Sequence, residues 1–175
     1  MKKIAIALLT LTLSISTVLG WANVASTTNK NNINVMFIQN ANKGKLIPIS
    51  GKPGYYQLVL EGVTDYVHFF TDRPVRKAGI YPTNKFIQQW QTGKKSTSFK
   101  QVPPNAALSA VEIHLLKNTM FNKIFEISSP LYDAKKNTLS YIVRPIDKSN
   151  RIPEQFKNAA LFIDNYCASC TGGGF

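Results

Sequence analysis

The chain has few of the residue types that carry chemistry. Among its 175 residues there are two histidines, two cysteines and nine acids. The two histidines, His68 and His114, show no metal-ligand spacing, and a four-ligand zinc site would need both of them and both cysteines from distant parts of the chain. No Gly-x-Ser-x-Gly, His-Glu-x-x-His or phosphate-loop motif is present, which removes the common hydrolase and nucleotide-binding signatures. After the N-terminal segment no apolar run is long enough to cross a bilayer, and strands do not alternate with long helices, which argues against a parallel sheet. No internal repeat and no nucleic-acid motif occurs. No cofactor and no metal is expected.

The first residues point to export. Lys2 and Lys3 precede an apolar stretch, Ile4 to Leu13, and a weakly polar, uncharged segment to Leu19, with small residues at Gly20, Ala22 and Ala25. That order reads as a secretory signal peptide over 1–22, cut after Gly20 or Ala22. The stretch is interrupted by Thr and Ser and falls short of the roughly 20 apolar residues a bilayer needs. The expected location is therefore the periplasm or the extracellular space. Residues 23–34 are polar and read as a leader. Loss of Lys2 and Lys3 leaves 19 basic residues against nine acids, a charge of +10. A basic surface of that size aids solubility and attracts anions. The partners it suits are an anionic surface polymer, a lipid headgroup or a protein. Nucleic acid is not expected for an exported chain, and nothing suggests more than a monomer.

Period-two patterning dominates 35–165, which reads as one all-β domain, an antiparallel β-sandwich or barrel-like fold with one short helix. Val35–Ile38 and Leu46–Ile49 read as a hairpin around an Asn40–Lys45 turn. Strands follow at 55–60 (Tyr56, Leu58 and Leu60 on one face) and 66–70 (Tyr66, His68 and Phe70 against Val67 and Phe69). Phe86, Ile87 and Trp90 share a helical face, predicting a helix over 84–92 capped by Thr83 or Asn84 and ended by Gly93. Further strands are predicted at 107–116, with Val111, Ile113 and Leu115 on the apolar face, and at 121–127. A hairpin loop at 133–137 leads to Leu139–Val143. A helical turn is expected at Pro153–Phe156, then a last strand at 159–163. The tail, 166–175, carries Cys167 and Cys170, whose spacing suits a small disulfide in an oxidising compartment and also a labile thiol pair or metal clip.

The densest chemistry lies in Tyr66 to Pro82. His68, Asp72, Arg73 and Arg76 are the candidate binding residues, with Trp90 as an aromatic companion. The two arginines suit a carboxylate or phosphate. Asp72 and His68 supply acid or base groups, but four residues of extended strand separate their Cα atoms by about 13 Å. The structural alternative has Asp72 accepting turn N–H groups, Pro74 restricting Arg73, and Gly79 supplying a backbone angle other residues resist. His114 reads as solvent-facing beside Glu112, and His68, between aromatics, as partly buried.

Phe70-Thr71-Asp72-Arg73-Pro74-Val75-Arg76-Lys77-Ala78-Gly79, then Phe86-x-x-x-Trp90, Pro103-Pro104-Asn105-Ala106-Ala107-Leu108 and Pro130-Leu131-Tyr132-Asp133 before Leu139-Ser140-Tyr141-Ile142-Val143, resembles a family of small secreted bacterial proteins of unassigned activity. The resemblance covers about 55–164. It implies export and a single domain, and it brings no catalytic residue. Three functions follow as expectations: a non-enzymatic exported protein that binds an anionic partner through basic loops, an exported enzyme with a site around His68, Asp72, Arg73 and Arg76, or a structural envelope component.

Overall fold

The computed structural model describes residues 34–73, 76–91, 98–114, 118–147 and 151–167, with the side chains of 165–167 excepted. The expected signal peptide and leader up to residue 33, the Gly93 helix stop, Pro74, Leu115 and Cys170 lie outside the described residues.

The chain forms eight antiparallel strands and one helix, in the order β1 (Asn34–Pro48), β2 (Tyr56–Glu61), β3 (Tyr66–Thr71), β4 (Ala78–Pro82), α1 (Thr83–Gln88), β5 (Asn105–Glu112), β6 (Thr119–Asp133), β7 (Thr138–Pro145) and β8 (Gln155–Cys167). Strand order in the sheet is β2-β7-β6-β5-β8-β1-β3-β4, and β1 also pairs with β2. That second pairing closes β1, β2, β7, β6, β5 and β8 into a barrel-like ring. β1 divides its outer edge to do this. Val35–Ile38 pair with β3, while Lys43–Pro48 pair with β2. The β3–β4 hairpin therefore leaves the ring as a flap, and β4 is its free edge.

The all-β antiparallel class with one short helix is as expected, but two strands differ. The expected first hairpin is a single strand. Asn40 to Lys45, read as a turn from its Asn, Gly and Lys content, is held extended by β8 along its length (Asn40↔Ala160 to Lys45↔Gln155). Gly44 is there for space. A Cβ at this position would lie 2.6 Å from the Phe156 ring and 2.8 Å from the Val59 carbonyl oxygen. The second difference is β4, read as part of a charged turn and in fact a strand paired with β3 from Ala78 to Pro82.

Bulges bend the ring. Ser129 and Asn158 carry φ near +50°, and the β6–β7 and β5–β8 registers shift beside them. Phe156 begins the inward run of β8 and is fully buried, so no helical turn forms at Pro153–Phe156. The 133–137 loop turns as read. Asp133 Oδ1 accepts the Lys135 and Lys136 N–H groups, and Asn137 takes φ +50°.

The core is formed by inward residues of every ring strand, among them Phe37, Leu58, Leu60, Leu108, Phe125, Ile127, Leu139, Tyr141, Val143, Phe156, Leu161 and Ile163. On β5 the expected faces are exchanged. Ala106, Leu108, Ala110 and Glu112 point inward, and Ile113 is 46% exposed. Small alanines fit where neighbouring strands converge, and pairing with β6 and β8 fixes the phase.

The helix is shorter than expected and begins one residue earlier. Pro82 is its N-cap, with no side-chain cap bond. Thr83 is buried and donates its hydroxyl to the Thr64 carbonyl at 3.0 Å instead. Phe86, Ile87 and Trp90 close the ring from one side, as their spacing implied. The Phe86 ring packs tilted against Phe37 with centroids 4.6 Å apart, and the Trp90 ring centroid lies 4.5 Å from that of Phe99 and 5.9 Å from that of Tyr141.

Candidate functional site

Alternation on β3 sends Val67 and Phe69 inward and Tyr66, His68 and Phe70 outward. His68 is therefore exposed, not half-buried as its aromatic neighbours suggested. Of those neighbours Tyr66 and Phe70 share its outer face, while Phe69 packs inward. His68 sits between Ile38 of β1 and Ile80 of β4. Beyond β3, the Thr71 N–H donates to the Lys77 carbonyl and the Lys77 N–H donates to Thr71 Oγ1, both at 2.8 Å. This pinches off a loop at its base. Asp72 donates its N–H to the Asn34 carbonyl at 3.2 Å, and its Oδ1 accepts the Arg73 N–H at 2.6 Å. Asp72 thus shapes the turn that follows the strand.

Arg73 and Arg76 are both exposed, and among the described residues neither has a carboxylate at ion-pair distance. Lys77 beside them is exposed as well. The arginines face solvent rather than an internal acid. Gly79 has a different role from the one expected. Its backbone is not in the left-handed region, and a Cβ would come within 3.0 Å of the Phe69 ring across the hairpin. Trp90 lies in the core, 6% exposed.

A cavity of about 260 Å³ opens beside the loop, lined by Asn34, Val35, Met36, Phe70, Asp72 and Asp164. It brings together two acids 92 positions apart in the chain. Desolvation raises the Asp164 carboxyl above its ordinary value, against a backbone hydrogen bond from Asn105. His68, Arg73 and Arg76 are not among its lining residues.

A second cluster was not singled out in the sequence. Glu112 is 7% exposed at the end of β5, where Arg151 donates to its Oε2. His114 Nε2 lies 3.1 Å from the same oxygen and 2.7 Å from an Arg151 nitrogen. Burial pushes the Glu112 carboxyl upward, but the hydrogen bonds from Arg151 and His114 outweigh it and hold the group below its ordinary range. Unprotonated, the His114 nitrogen accepts from Arg151; protonated, it donates to Glu112. The cluster borders a cleft of about 430 Å³ with Ile113, Ile152, Glu154 and Gln155. Glu112 and His114 stand at i and i+2, a readable signal, although β5 itself ends at Glu112. Arg151 comes from a polar loop far along the chain, where no local pattern marks it.

No family model, curated protein or solved structure matches this chain. Among the described residues, no group of three His, Cys, Asp or Glu side chains is placed to hold a metal, and no helix is long and apolar enough to cross a membrane. The backbone of Cys167 pairs with Asn34 at the end of β8. Its expected disulfide with Cys170 falls outside the described residues.

Proposed function

We propose that this is an exported, non-enzymatic protein that binds an anionic partner through its basic loops. The observation that carries this reading is the pair Arg73 and Arg76, exposed with Lys77 on one loop and committed to no carboxylate among the described residues. A guanidinium without an internal partner is available for carboxylate or phosphate oxygens. The net charge of +10 that remains once Lys2 and Lys3 are lost adds long-range attraction, and the N-terminal pattern and the likeness to small secreted bacterial proteins support export. Binding to a polyanion such as polyglutamate is expected to weaken at least tenfold between about 50 and 500 mM salt, because exposed charges are screened over a Debye length that falls from about 14 to 4 Å. The double substitution Arg73→Ala, Arg76→Ala is expected to weaken it similarly at low salt. Binding that ignores both would refute the proposal.

A second reading is favoured by one contact, the 3.1 Å approach of His114 to Glu112 at the larger cleft. A histidine oriented by a carboxylate is equipped for general-base chemistry. Hydrolysis of a chromogenic ester panel that disappears in His114→Gln would support it, and equal rates in the two proteins would remove it.

A further inference from the structure

β4 ends the sheet, and among the described residues nothing pairs with its far side. Ladder parity identifies the backbone groups left over. The Thr71 N–H bonds to the Lys77 carbonyl and the Thr83 N–H to the Asp65 carbonyl, each at 2.8 Å. With Phe69 opposite Gly79 and Val67 opposite Tyr81, the odd-numbered residues of β4 bond to β3. On the other side of β3, the Asp72 N–H bonds to the Asn34 carbonyl, so β3 turns its even-numbered residues to β1, as the same parity requires. Ala78 and Ile80 therefore direct both N–H and C=O away from the sheet. Pro82 takes the next outward position, where its missing N–H costs the ladder nothing.

The outer face beside this edge is apolar. In cross-strand register it runs Ile80, His68, Ile38, Phe162, Ala107, Ile124 from β4 to β6. Ile80 is 58% exposed, Phe162 37% and Ile124 46%. The row carries no Lys, Arg, Asp or Glu. Cations flank the edge instead: Arg76 and Lys77 precede β4, and Lys85 follows it, all exposed. Open backbone groups beside exposed apolar side chains are a template for an added strand.

We propose that β4 receives an extended segment of a partner polypeptide that carries carboxylates, paired to Ala78 and Ile80 as a further strand. This rests on the anionic-partner reading and gives that partner a chemistry. Charge complementarity selects the occupant. A second copy of this chain would bring its own Arg76 and Lys77 to the interface. Antiparallel β4–β4 pairing centred on Gly79 would also set Pro82 opposite Arg76 at both ends, losing a bond at each.

The test is amide hydrogen exchange at Ala78 and Ile80 in the full chain, with a synthetic ten-residue peptide alternating Val with Glu. The expected result is at least tenfold slower exchange at both amides with the peptide, and no change with a Val/Lys peptide. Ile80→Pro removes an outward N–H without touching the β3 ladder and is expected to abolish the protection. Should that variant not fold, the exposed pair Arg76→Glu, Lys77→Glu is expected to weaken peptide binding at least tenfold. Unchanged exchange at millimolar peptide overturns the proposal. Protection without peptide that rises with protein concentration overturns it in favour of self-association. Binding of polyglutamate or phosphatidylglycerol vesicles that leaves both amides exchanging freely overturns strand addition while anion binding stands.

Discussion

Gly44→Ala tests the most unexpected feature of the fold, the unbroken course of β1. If 40–45 were a surface turn, an added methyl would meet solvent and cost little. In the closed ring the new Cβ would lie 2.6 Å from two atoms of the Phe156 ring and 2.8 Å from the Val59 carbonyl oxygen. Phe156 is fully buried and has little room to retreat, and the carbonyl belongs to the backbone of β2, the strand that closes the ring. Overpacking of this kind costs about 1–3 kcal/mol, and a backbone clash places Gly44→Ala toward the upper end. For a domain of this size that corresponds to a fall in Tm of roughly 5–10 °C. Urea unfolding followed by tryptophan fluorescence, compared at constant m, measures it. Gly54→Ala is a useful reference: its φ is +79° but nothing lies within 4 Å, so it is expected to cost only the left-handed backbone penalty, about 1 kcal/mol. A loss below about 0.5 kcal/mol for Gly44→Ala would refute the close packing of β1 on Phe156, since even mild overpacking exceeds that.

Three further changes probe buried polar groups. Lys123 is 2% exposed and its ammonium lies 2.7 Å from Asp147 Oδ1, so Asp147→Ala is expected to cost about 2 kcal/mol, discounted from a fully buried pair because Asp147 is partly exposed; a neutral result in denaturant unfolding would mean the pair contributes nothing. The Tyr141 hydroxyl is buried without a hydrogen-bond partner among the described residues, and burial raises its pKa. Tyr141→Phe is therefore expected to be neutral or stabilising by up to about 1 kcal/mol, and a clear loss of Tm would reveal a bonded water there. For Glu112 the folded pKa is depressed, so its contribution is fully present above the ordinary value of 4.5 and is lost as pH falls through the lower folded value. Arg151→Ala should reduce stability at pH 7 and flatten its fall below pH 4.5, and a parallel acid-unfolding curve would count against the cluster.

The sheet class, the hairpin at 133–137, the inward faces of β2, β6 and β7 and the core role of Phe86, Ile87 and Trp90 could be read from periodicity and turn chemistry. Those signals are local. Alternation shows which residues share a face, and a turn residue shows where the chain can reverse. Neither reports on strands distant in sequence. Gly44 looks like a turn residue until Phe156, more than a hundred positions away, occupies the space of its missing side chain. Gly79 likewise owes its place to Phe69 across the hairpin. On β5 hydrophobicity favours Val111 and Ile113 as the inner face, yet the smaller Ala106 and Ala110 are the residues buried in the closed ring.

The candidate site divides the same way. Composition already marked Arg73 and Arg76 as the strongest charged pair, and their freedom from internal acids needed the fold. The sequence by itself determined a basic, all-β chain with one short helix and a concentration of charge from Asp72 to Lys77. Only the tertiary structure decided that β1 splits its edge to close a ring, which leaves β4 unpaired and turns Ala78 and Ile80 outward. It also placed Arg151 on Glu112 and His114, and Asp164 beside Asp72. Hydrogen-bond closure and burial are satisfied between segments far apart in the chain, and no local pattern records them.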